Sequence, residues 1–195
     1  MLENSSLGRR IGVLGGLEPF TVAPAIEIRA AAPQARFTVR LAGADATGVA
    51  GIALDQPINR ASLGHSRLVA RLGPDEWLLI GAVADAAAFE AEIAAALAGR
   101  HHALVDVSHR NVGIDIAGMA AAKVLAAGCP LDLDRFTPGD ATRTLLGKAE
   151  IILLRMPATD DDTPRFRVEC WRSFGRYVYS FLTEAARDYA AVPKP

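Results

Sequence analysis

Residues Leu68–Gly81 read LVARLGPDEWLLIG, and this stretch predicts the basic unit of the fold. Leu68–Leu72 is predicted to be a β-strand, since it is a short, mainly apolar run that ends at a turn signal. Gly73–Glu76 reads GPDE and is typical of a tight turn, because proline presets φ while glycine and aspartate tolerate turn geometry. Trp77–Gly81 then returns as a second strand, so residues 67–81 are predicted to form an antiparallel hairpin.

A helix is predicted directly after this hairpin. Asp85 is a suitable N-cap residue, and the helix is expected to run to about Leu97 and to stop before Gly99. Phe89, Ile93 and Leu97 recur every four residues and would form one buried face. The local order is therefore strand, strand, helix.

The same order occurs again later in the chain. Val39–Gly43 and Ile114–Gly118 are both alternating strands that end in Ala-Gly, and a strand that opens on Phe166 precedes a helix predicted to be capped by Ser173. From this second cap, the positions matching Phe89, Ile93 and Leu97 are Tyr177, Phe181 and Ala185, and Phe174 is placed on the buried face. The sequence thus predicts an α+β fold built from a duplicated strand-strand-helix unit, with mostly antiparallel sheets covered by helices.

This pattern also predicts the domain organisation. Residues 1–24 are punctuated by glycine and proline and are expected to form a loosely packed N-terminal arm. Residues 25–192 are expected to form a single compact domain of two pseudo-repeats, at about 36–100 and 111–190.

Composition excludes several classes of protein. The chain has 195 residues with 21 Lys+Arg against 22 Asp+Glu, which is not the basic footprint of a nucleic-acid binder. Its 2 cysteines cannot build a disulfide framework, which favours a reducing cytoplasm. Neither a signal peptide nor a transmembrane segment is evident, so a protein without membrane contact is expected.

The densest polar cluster lies between two predicted strands. It has two interpretations: a tight connection in which the polar side chains satisfy the turn backbone, or a loop that binds a partner. Catalysis by a triad is disfavoured, because triad members converge from separate segments. The cluster comprises Asp106, Ser108, His109, Arg110 and Asn111.

A second candidate for partner binding is the segment Trp171–Phe174. Tryptophan and arginine are enriched at interface hot spots, so Trp171, Arg172 and Phe174 are included in the candidate interface. Cys129 and Cys170 are expected to be core residues. Asp132, Asp134 and the Asp160–Asp162 run lack the pattern of a calcium loop and are expected to be solvated. No catalytic, cofactor-binding or metal-binding residue is predicted.

Several motifs resemble the gamma subunits of heterotetrameric sarcosine oxidases, in order between about residues 26 and 190. The segments are Leu72–Leu79 (LGPDEWLL), Val105–Arg110 (VDVSHR), Ala127–Leu133 (AGCPLDL), Thr144–Glu150 (TLLGKAE) and Arg172–Phe174 (RSF). The fold of that family is similar to the folate-binding domain of aminomethyltransferases, which is itself a duplicated α+β unit.

The resemblance implies a small non-catalytic subunit that helps to assemble or stabilise an oxidoreductase. Such a complex oxidatively demethylates sarcosine to glycine and transfers the one-carbon unit to tetrahydrofolate. This chain itself would bind no cofactor, since FAD, FMN, NAD and tetrahydrofolate are expected in the larger subunits. Its partners would be the alpha, beta and delta subunits, and the isolated chain would be free to self-associate.

Two other functions remain open from the sequence. The first is a free-standing folate- or pterin-binding module related to aminomethyltransferases, although no acidic residue occupies Ile151–Leu154, where a folate-directed aspartate would be sought. The second is an independent hydrolase that uses His109 or Cys129, which would need a base within about 3 Å of the nucleophile.

Overall fold

The computed structural model describes residues 12–42, 48–49, 52–64, 66–158 and 162–190. Three α-helices are present in this part of the chain: α1 (Ala86–Ala96), α2 (Ala121–Ala126) and α3 (Gly175–Ala186). The strands are β1 (Phe20–Val22), β2 (Ile26–Ala30), β3 (Gln34–Leu41), β4 (Gly48–Val49), β5 (Ile52–Ala53), β6 (Arg60–Gly64), β7 (Arg67–Arg71), β8 (Glu76–Ala82), β9 (His102–Asp106), β10 (Asn111–Ala117), β11 (Ala141–Leu146), β12 (Ala149–Met156) and β13 (Arg165–Trp171).

These strands form two large antiparallel sheets. The first has the order β1-β2-β10-β13-β12-β11, and the second has the order β6-β7-β8-β3-β9. Within the residues that the structure describes, strands β4 and β5 form a separate two-stranded sheet. The predicted α+β class with antiparallel sheets is confirmed, as is the hairpin at 67–81, in which the Leu72 N–H donates to the Glu76 carbonyl over 2.8 Å.

Each sheet is covered by helices on one face and by the other sheet on the opposite face. Helix α1 buries Phe89, Ile93 and Leu97 against the second sheet, as predicted. Helices α2 and α3 pack on the first sheet. A third apolar cluster joins the two sheets through Leu68, Ala70, Leu78, Ile80, Val107, Ala141, Ile152 and Leu154. Alternation along each strand therefore divides its side chains between a helix-facing core and a layer between the sheets.

The duplicated unit is visible where each of two strands leads into a helix. Strand β8 and strand β13 each end in a short 3-10 turn, Val83–Asp85 and Arg172–Phe174, that continues into an α-helix. The last strand residues adopt nearly the same backbone angles, with φ −68° and ψ 142° at Ala82 and φ −62° and ψ 140° at Trp171.

The register of the second helix differs by one residue from the prediction. Helix α3 begins at Gly175, so Val178, Leu182 and Ala186 match the buried face of α1, and each has 0% exposure. The predicted positions Tyr177, Phe181 and Ala185 lie one residue too early, because the residue that matches Asp85 at the end of the 3-10 turn is Phe174 and not Ser173.

The predicted match between strands β3 and β10 is also displaced. The sequence comparison matches Val39 with Ile114 and Trp77 with Phe166. In the structure Val39 pairs with Trp77, but Phe166 pairs with Ile116 and not with Ile114. The displacement is two residues, which keeps every side chain on the same face of its sheet. For this reason the apolar pattern could not reveal it.

Neither predicted capping bond forms. Asp85 occupies the N-cap position of α1 without a side-chain capping hydrogen bond, and Phe174 rather than Ser173 is the N-cap residue of α3. Phe174 was expected in the core, but it is 37% exposed because its position at the N-cap lies ahead of the buried stripe.

The described part of the predicted N-terminal arm is packed rather than loose. Leu14 is buried, and β1 pairs with β2 at the edge of the first sheet. The Tyr179 hydroxyl donates to the Glu18 carbonyl over 2.6 Å, which fixes this segment against α3. Residues 1–11 lie outside the described residues, and the boundaries of the arm and of the 25–192 domain remain predictions.

Within the described ranges, no helix combines the length and apolar character needed to cross a bilayer. The described residues likewise contain no group of three or more His, Cys, Asp or Glu side chains arranged to hold a metal ion. Asp160 and Asp161, which belong to the acidic run considered above, lie outside the described residues.

Candidate partner-binding surface

The two predicted interface segments meet at one end of the first sheet. Asn111 begins β10 and Trp171 ends β13, and these residues are direct partners in the antiparallel register. The Arg172 N–H donates to the Arg110 carbonyl over 2.7 Å, which continues the contact beyond the strands. The structure therefore brings together five of the eight candidate residues: Arg110, Asn111, Trp171, Arg172 and Phe174.

Trp171 is the centre of this surface. Its side chain is 47% exposed, whereas the other apolar residues of β13 are buried. The Arg110 guanidinium lies 6.0 Å from the centre of the Trp171 ring, at the outer limit of a cation–π contact. The Arg110 Nε donates to the Asn111 Oδ1 over 3.2 Å. Arg110 is thus held beside the indole.

Phe174 extends the aromatic surface. Its ring stacks on that of Trp171, with centroids 6.2 Å apart and planes inclined by 27°. Both rings are exposed, so the pair leaves a sizeable apolar area in water, and exposed apolar patches of this kind commonly mark interaction sites. The 3-10 turn at Arg172–Phe174 produces this arrangement, because it carries Phe174 back over the end of β13.

The remaining three candidate residues have different roles. Ser108 Oγ accepts the Arg36 N–H over 2.8 Å, and Asp106 Oδ1 accepts the Ser108 N–H over 2.8 Å. Hydrogen bonds from Ser108 hold the pKa of the Asp106 carboxyl below its ordinary value. Ser108 and Asp106 thus stabilise the crossing from β9 in one sheet to β10 in the other, and His109 is exposed at that crossing.

A buried ion pair behind this surface was missed by sequence reasoning. Arg36 on β3 and Glu169 on β13 are 4% and 0% exposed, and they join the two sheets through a bidentate contact. Nε of Arg36 lies 2.6 Å from Oε2 of Glu169, and Nη2 lies 3.1 Å from Oε1. Burying both charges is tolerable only because each satisfies the other at close range.

A second arginine completes this network. Nε of Arg167 lies 2.9 Å from Asp115 Oδ1, and Nη1 lies 3.8 Å from Glu169 Oε1. Arg167 also donates to the Gln34 side chain. The network thus connects β3, β10 and β13 between the sheets and supports the strand that presents Trp171.

The sequence does carry a signal for this network. Phe166, Val168 and Cys170 alternate with Arg167 and Glu169, so β13 has one apolar and one charged face. A strand face that carries charged side chains is normally in contact with solvent. Here the second sheet covers it, and only the tertiary arrangement shows that covering.

The cleft behind the surface is narrow. It is lined by Thr38, Glu76, Asn111, Arg143, Glu169 and Trp171 among others, and its volume of about 20 Å³ holds little more than one water molecule. Arg143 crosses it to contact Glu76 and also reaches Glu150 over 2.8 Å. Salt-bridged side chains therefore fill the space between the sheets at this point.

Both cysteines lie in the apolar core of the first sheet. Cys129 is 6% exposed and Cys170 is 2% exposed. Burial, with a smaller contribution from neighbouring Glu169, raises the pKa of the Cys170 thiol to about 12. A buried, protonated thiol is a poor nucleophile, and the expectation that both residues serve the core agrees with their positions.

Comparison with known proteins gives a consistent relationship. A sequence model described as the sarcosine oxidase, gamma subunit family matches residues 41–188. The chain is similar to a sarcosine oxidase subunit gamma from Arthrobacter sp, with 32% identity over 108 residues that cover 54% of this chain and 52% of the relative. A second relative of the same description, from Corynebacterium sp. (strain P-1), is 30% identical over 128 residues, or 63% of this chain and 58% of the relative. The matched region thus spans little more than half the length of these relatives.

Solved structures show the same fold. A chain of the heterotetrameric sarcosine oxidase from Corynebacterium sp. U-96 in complex with pyrrole 2-carboxylate superposes with a TM-score of 0.78 at 23% identity, covering 91% of both chains. The glycine cleavage system aminomethyltransferase T from Bartonella henselae superposes with a TM-score of 0.62 at 16% identity, covering 82% of this chain and 46% of that protein. The predicted similarity to the aminomethyltransferase fold is confirmed.

Proposed function

The chain belongs to the sarcosine oxidase gamma subunit family, and on that premise we propose that it is a small non-catalytic subunit of a heterotetrameric sarcosine oxidase. Its role is to assemble or stabilise the complex through the surface around Trp171. The complex oxidatively demethylates sarcosine to glycine and transfers the one-carbon unit to tetrahydrofolate. The alpha, beta and delta subunits are its partners in the cytoplasm, and the larger subunits bind FAD, FMN, NAD and tetrahydrofolate.

One observation carries this proposal: the exposed aromatic pair Trp171 and Phe174 has an ordered arginine beside it. Tryptophan and arginine are among the residue types most enriched at interface hot spots. Arg110 is already positioned by Asn111 and by the Trp171 ring, so little side-chain freedom is lost when a partner binds.

A non-catalytic role is supported by the positions of the polar groups that a hydrolase would use. Ser108 and Asp106 hydrogen-bond to the backbone of a strand crossing, and Cys129 is buried in the apolar core. Each of these groups therefore already has a structural role, either in backbone hydrogen bonding or in core packing. This argues against the hydrolase alternative, because Cys129 is buried and the polar groups next to His109 in the chain are bonded to the backbone.

The folate-binding alternative finds less support in the described residues. A pterin ring needs a cavity of several hundred Å³, whereas the cleft between the sheets is about 20 Å³. Arg36 and Glu169 fill the adjoining interior as a buried pair. The residues present do not fit a folate between the sheets.

Co-expression with the alpha, beta and delta subunits tests the proposal. We expect the wild-type chain to co-purify with them, and Trp171→Ala to weaken assembly by at least about tenfold, or about 1.4 kcal/mol. Leu63→Ala is the matched control, because Leu63 is 47% exposed, like Trp171, and lies on edge strand β6.

The result must separate assembly from folding. Trp171→Ala is expected to keep the wild-type circular dichroism spectrum, since nearly half of its side chain is already in water, and to lower the urea midpoint only in part because the buried half of the ring is lost. Complex that does assemble with this variant should oxidise sarcosine at the wild-type rate. A wild-type chain that never co-purifies with the other subunits would refute the proposal.

A further inference from the structure

Three arginines lie on the two chain segments that carry or contact the exposed aromatic pair. Arg110 lies beside Trp171, Arg172 follows it directly, and Arg176 stands in the first turn of α3. All three side chains are exposed. Together with Trp171 and Phe174, they form what we call the arginine–aromatic surface.

The charges of this surface are not balanced within the chain. Among the residues that the structure describes, Arg110, Arg172 and Arg176 take part in no ion pair with a carboxylate, whereas Arg40, Arg67 and others do. The whole chain has a net charge of −1, so the local excess of positive charge is a feature of this surface and not of the composition.

The positions of two of these arginines are also unfavourable within the chain itself. The first turn of a helix favours Asp or Glu, because its free N–H groups carry partial positive charge. The first turn of α3 contains no acidic residue, and Arg172 and Arg176 add positive charge at this end of the helix. An external carboxylate would offset that repulsion.

We propose that the arginine–aromatic surface binds an acidic segment of a partner subunit, in which aspartate or glutamate side chains flank an apolar residue. The apolar residue packs on the Trp171 and Phe174 rings, and the carboxylates pair with the guanidinium groups around them. Guanidinium forks bind carboxylates bidentately, which sets the register of the segment. This inference rests on the proposed function and specifies the chemistry of the partner.

A competition experiment in the assembled complex tests the inference. Wild-type and variant chains with distinguishable tags are co-expressed with the alpha, beta and delta subunits, and the ratio of the two tags is measured in the purified complex. The double variant Arg172→Glu/Arg176→Glu is expected to be recovered about tenfold less than the wild type, because both attractions become repulsions. Lys123→Glu/Arg135→Glu is the matched control, since it reverses two charges on exposed side chains that do not belong to the arginine–aromatic surface.

Cross-linking identifies the contact directly. Arg172→Lys keeps the positive charge and supplies an amine, which carbodiimide joins to a carboxylate in contact with it. Mass spectrometry of the complex is expected to find position 172 linked to an aspartate or glutamate of another subunit. Circular dichroism of each variant verifies that the fold is retained.

The outcomes separate the two proposals. Equal recovery of the double variant and the wild type, with no cross-link from position 172, would overturn the inference while co-purification of the wild type still supports the subunit role. Loss of self-association without loss of subunit binding would make a second copy of this chain the occupant, which also contradicts the inference. A wild-type chain that does not co-purify at all would refute both.

Discussion

Replacing Glu169 by glutamine tests whether the buried ion pair joins the two sheets. The substitution preserves the shape of the side chain but removes its charge, which leaves the Arg36 guanidinium, 4% exposed, without a carboxylate. Arg36 Nη1 keeps only the Gln34 carbonyl, at 3.0 Å. The Arg167 guanidinium, 3.8 Å from the same carboxylate, would also lose part of its compensation.

The expected effect is large. Removing one partner of a buried ion pair costs about 3–5 kcal/mol, and the nearby Arg167 places this case towards the upper end. A domain of ordinary stability has about 5–15 kcal/mol in total. With a urea dependence of about 2–3 kcal/mol per molar, the midpoint of unfolding should fall by about 2 M.

Equilibrium urea unfolding followed by tryptophan fluorescence measures this change. Glu184→Gln is the matched control, because Glu184 and its ion-pair partner Arg187 are 70% and 68% exposed, and the loss of that pair should lie within experimental error. The double variant Arg36→Met/Glu169→Leu should recover most of the stability, since it leaves no buried guanidinium without a carboxylate: Arg36 is gone and Arg167 keeps Asp115 at 2.9 Å. A loss below about 1 kcal/mol for Glu169→Gln would show that water reaches the pair and would refute the reasoning.

Three further predictions concern individual positions. Gly113→Ala should destabilise the fold by about 1–3 kcal/mol in urea unfolding, because the added Cβ would lie 2.7 Å from Glu169 Oε1. Gly73→Ala should change the stability little, because the nearest atom to its Cβ would be 3.7 Å away, and equal effects of the two substitutions would contradict the crowding argument. Asp85→Ala should cost less than about 0.5 kcal/mol by the same measurement, because no capping bond is lost, and a loss near the ~1 kcal/mol of an ordinary cap would show that one forms in solution. Cys170 should resist a thiol reagent in the folded chain at pH 8 and react in concentrated urea, and rapid labelling of the folded chain would contradict its burial. Because the pKa of Cys170 is raised to about 12 in the folded chain, its contribution to stability is complete below the ordinary thiol pKa of 9.0 and declines as the pH rises towards 12.

Much of the secondary structure could be predicted from the sequence because the relevant information is local. The Gly73–Glu76 turn and the short apolar runs on either side of it determine a hairpin within a few residues, and the structure contains that hairpin. The spacing of Phe89, Ile93 and Leu97 likewise identified the buried face of α1. The family resemblance depended on the same kind of short segment.

The candidate surface was only partly predictable, because exposure depends on what packs nearby. Phe174 was expected to be buried, yet the helix starts at Gly175 and leaves that ring in water. Trp171 and Arg110 were recognised as separate candidates, and their meeting depends on the pairing of β10 with β13. Ser108 proved to bind the backbone of β3, which lies 72 positions away in the chain.

The sequence by itself determined which side chains share a face of each strand, because alternation is a property of the extended backbone. Tertiary structure alone decided what covers each face. Arg36 and Glu169 lie 133 positions apart, and nothing local distinguishes them from charged residues on a solvated face. Only the packing of one sheet on the other removes them from water, makes each the other's counter-ion, and leaves Trp171 exposed at the end of the same strand.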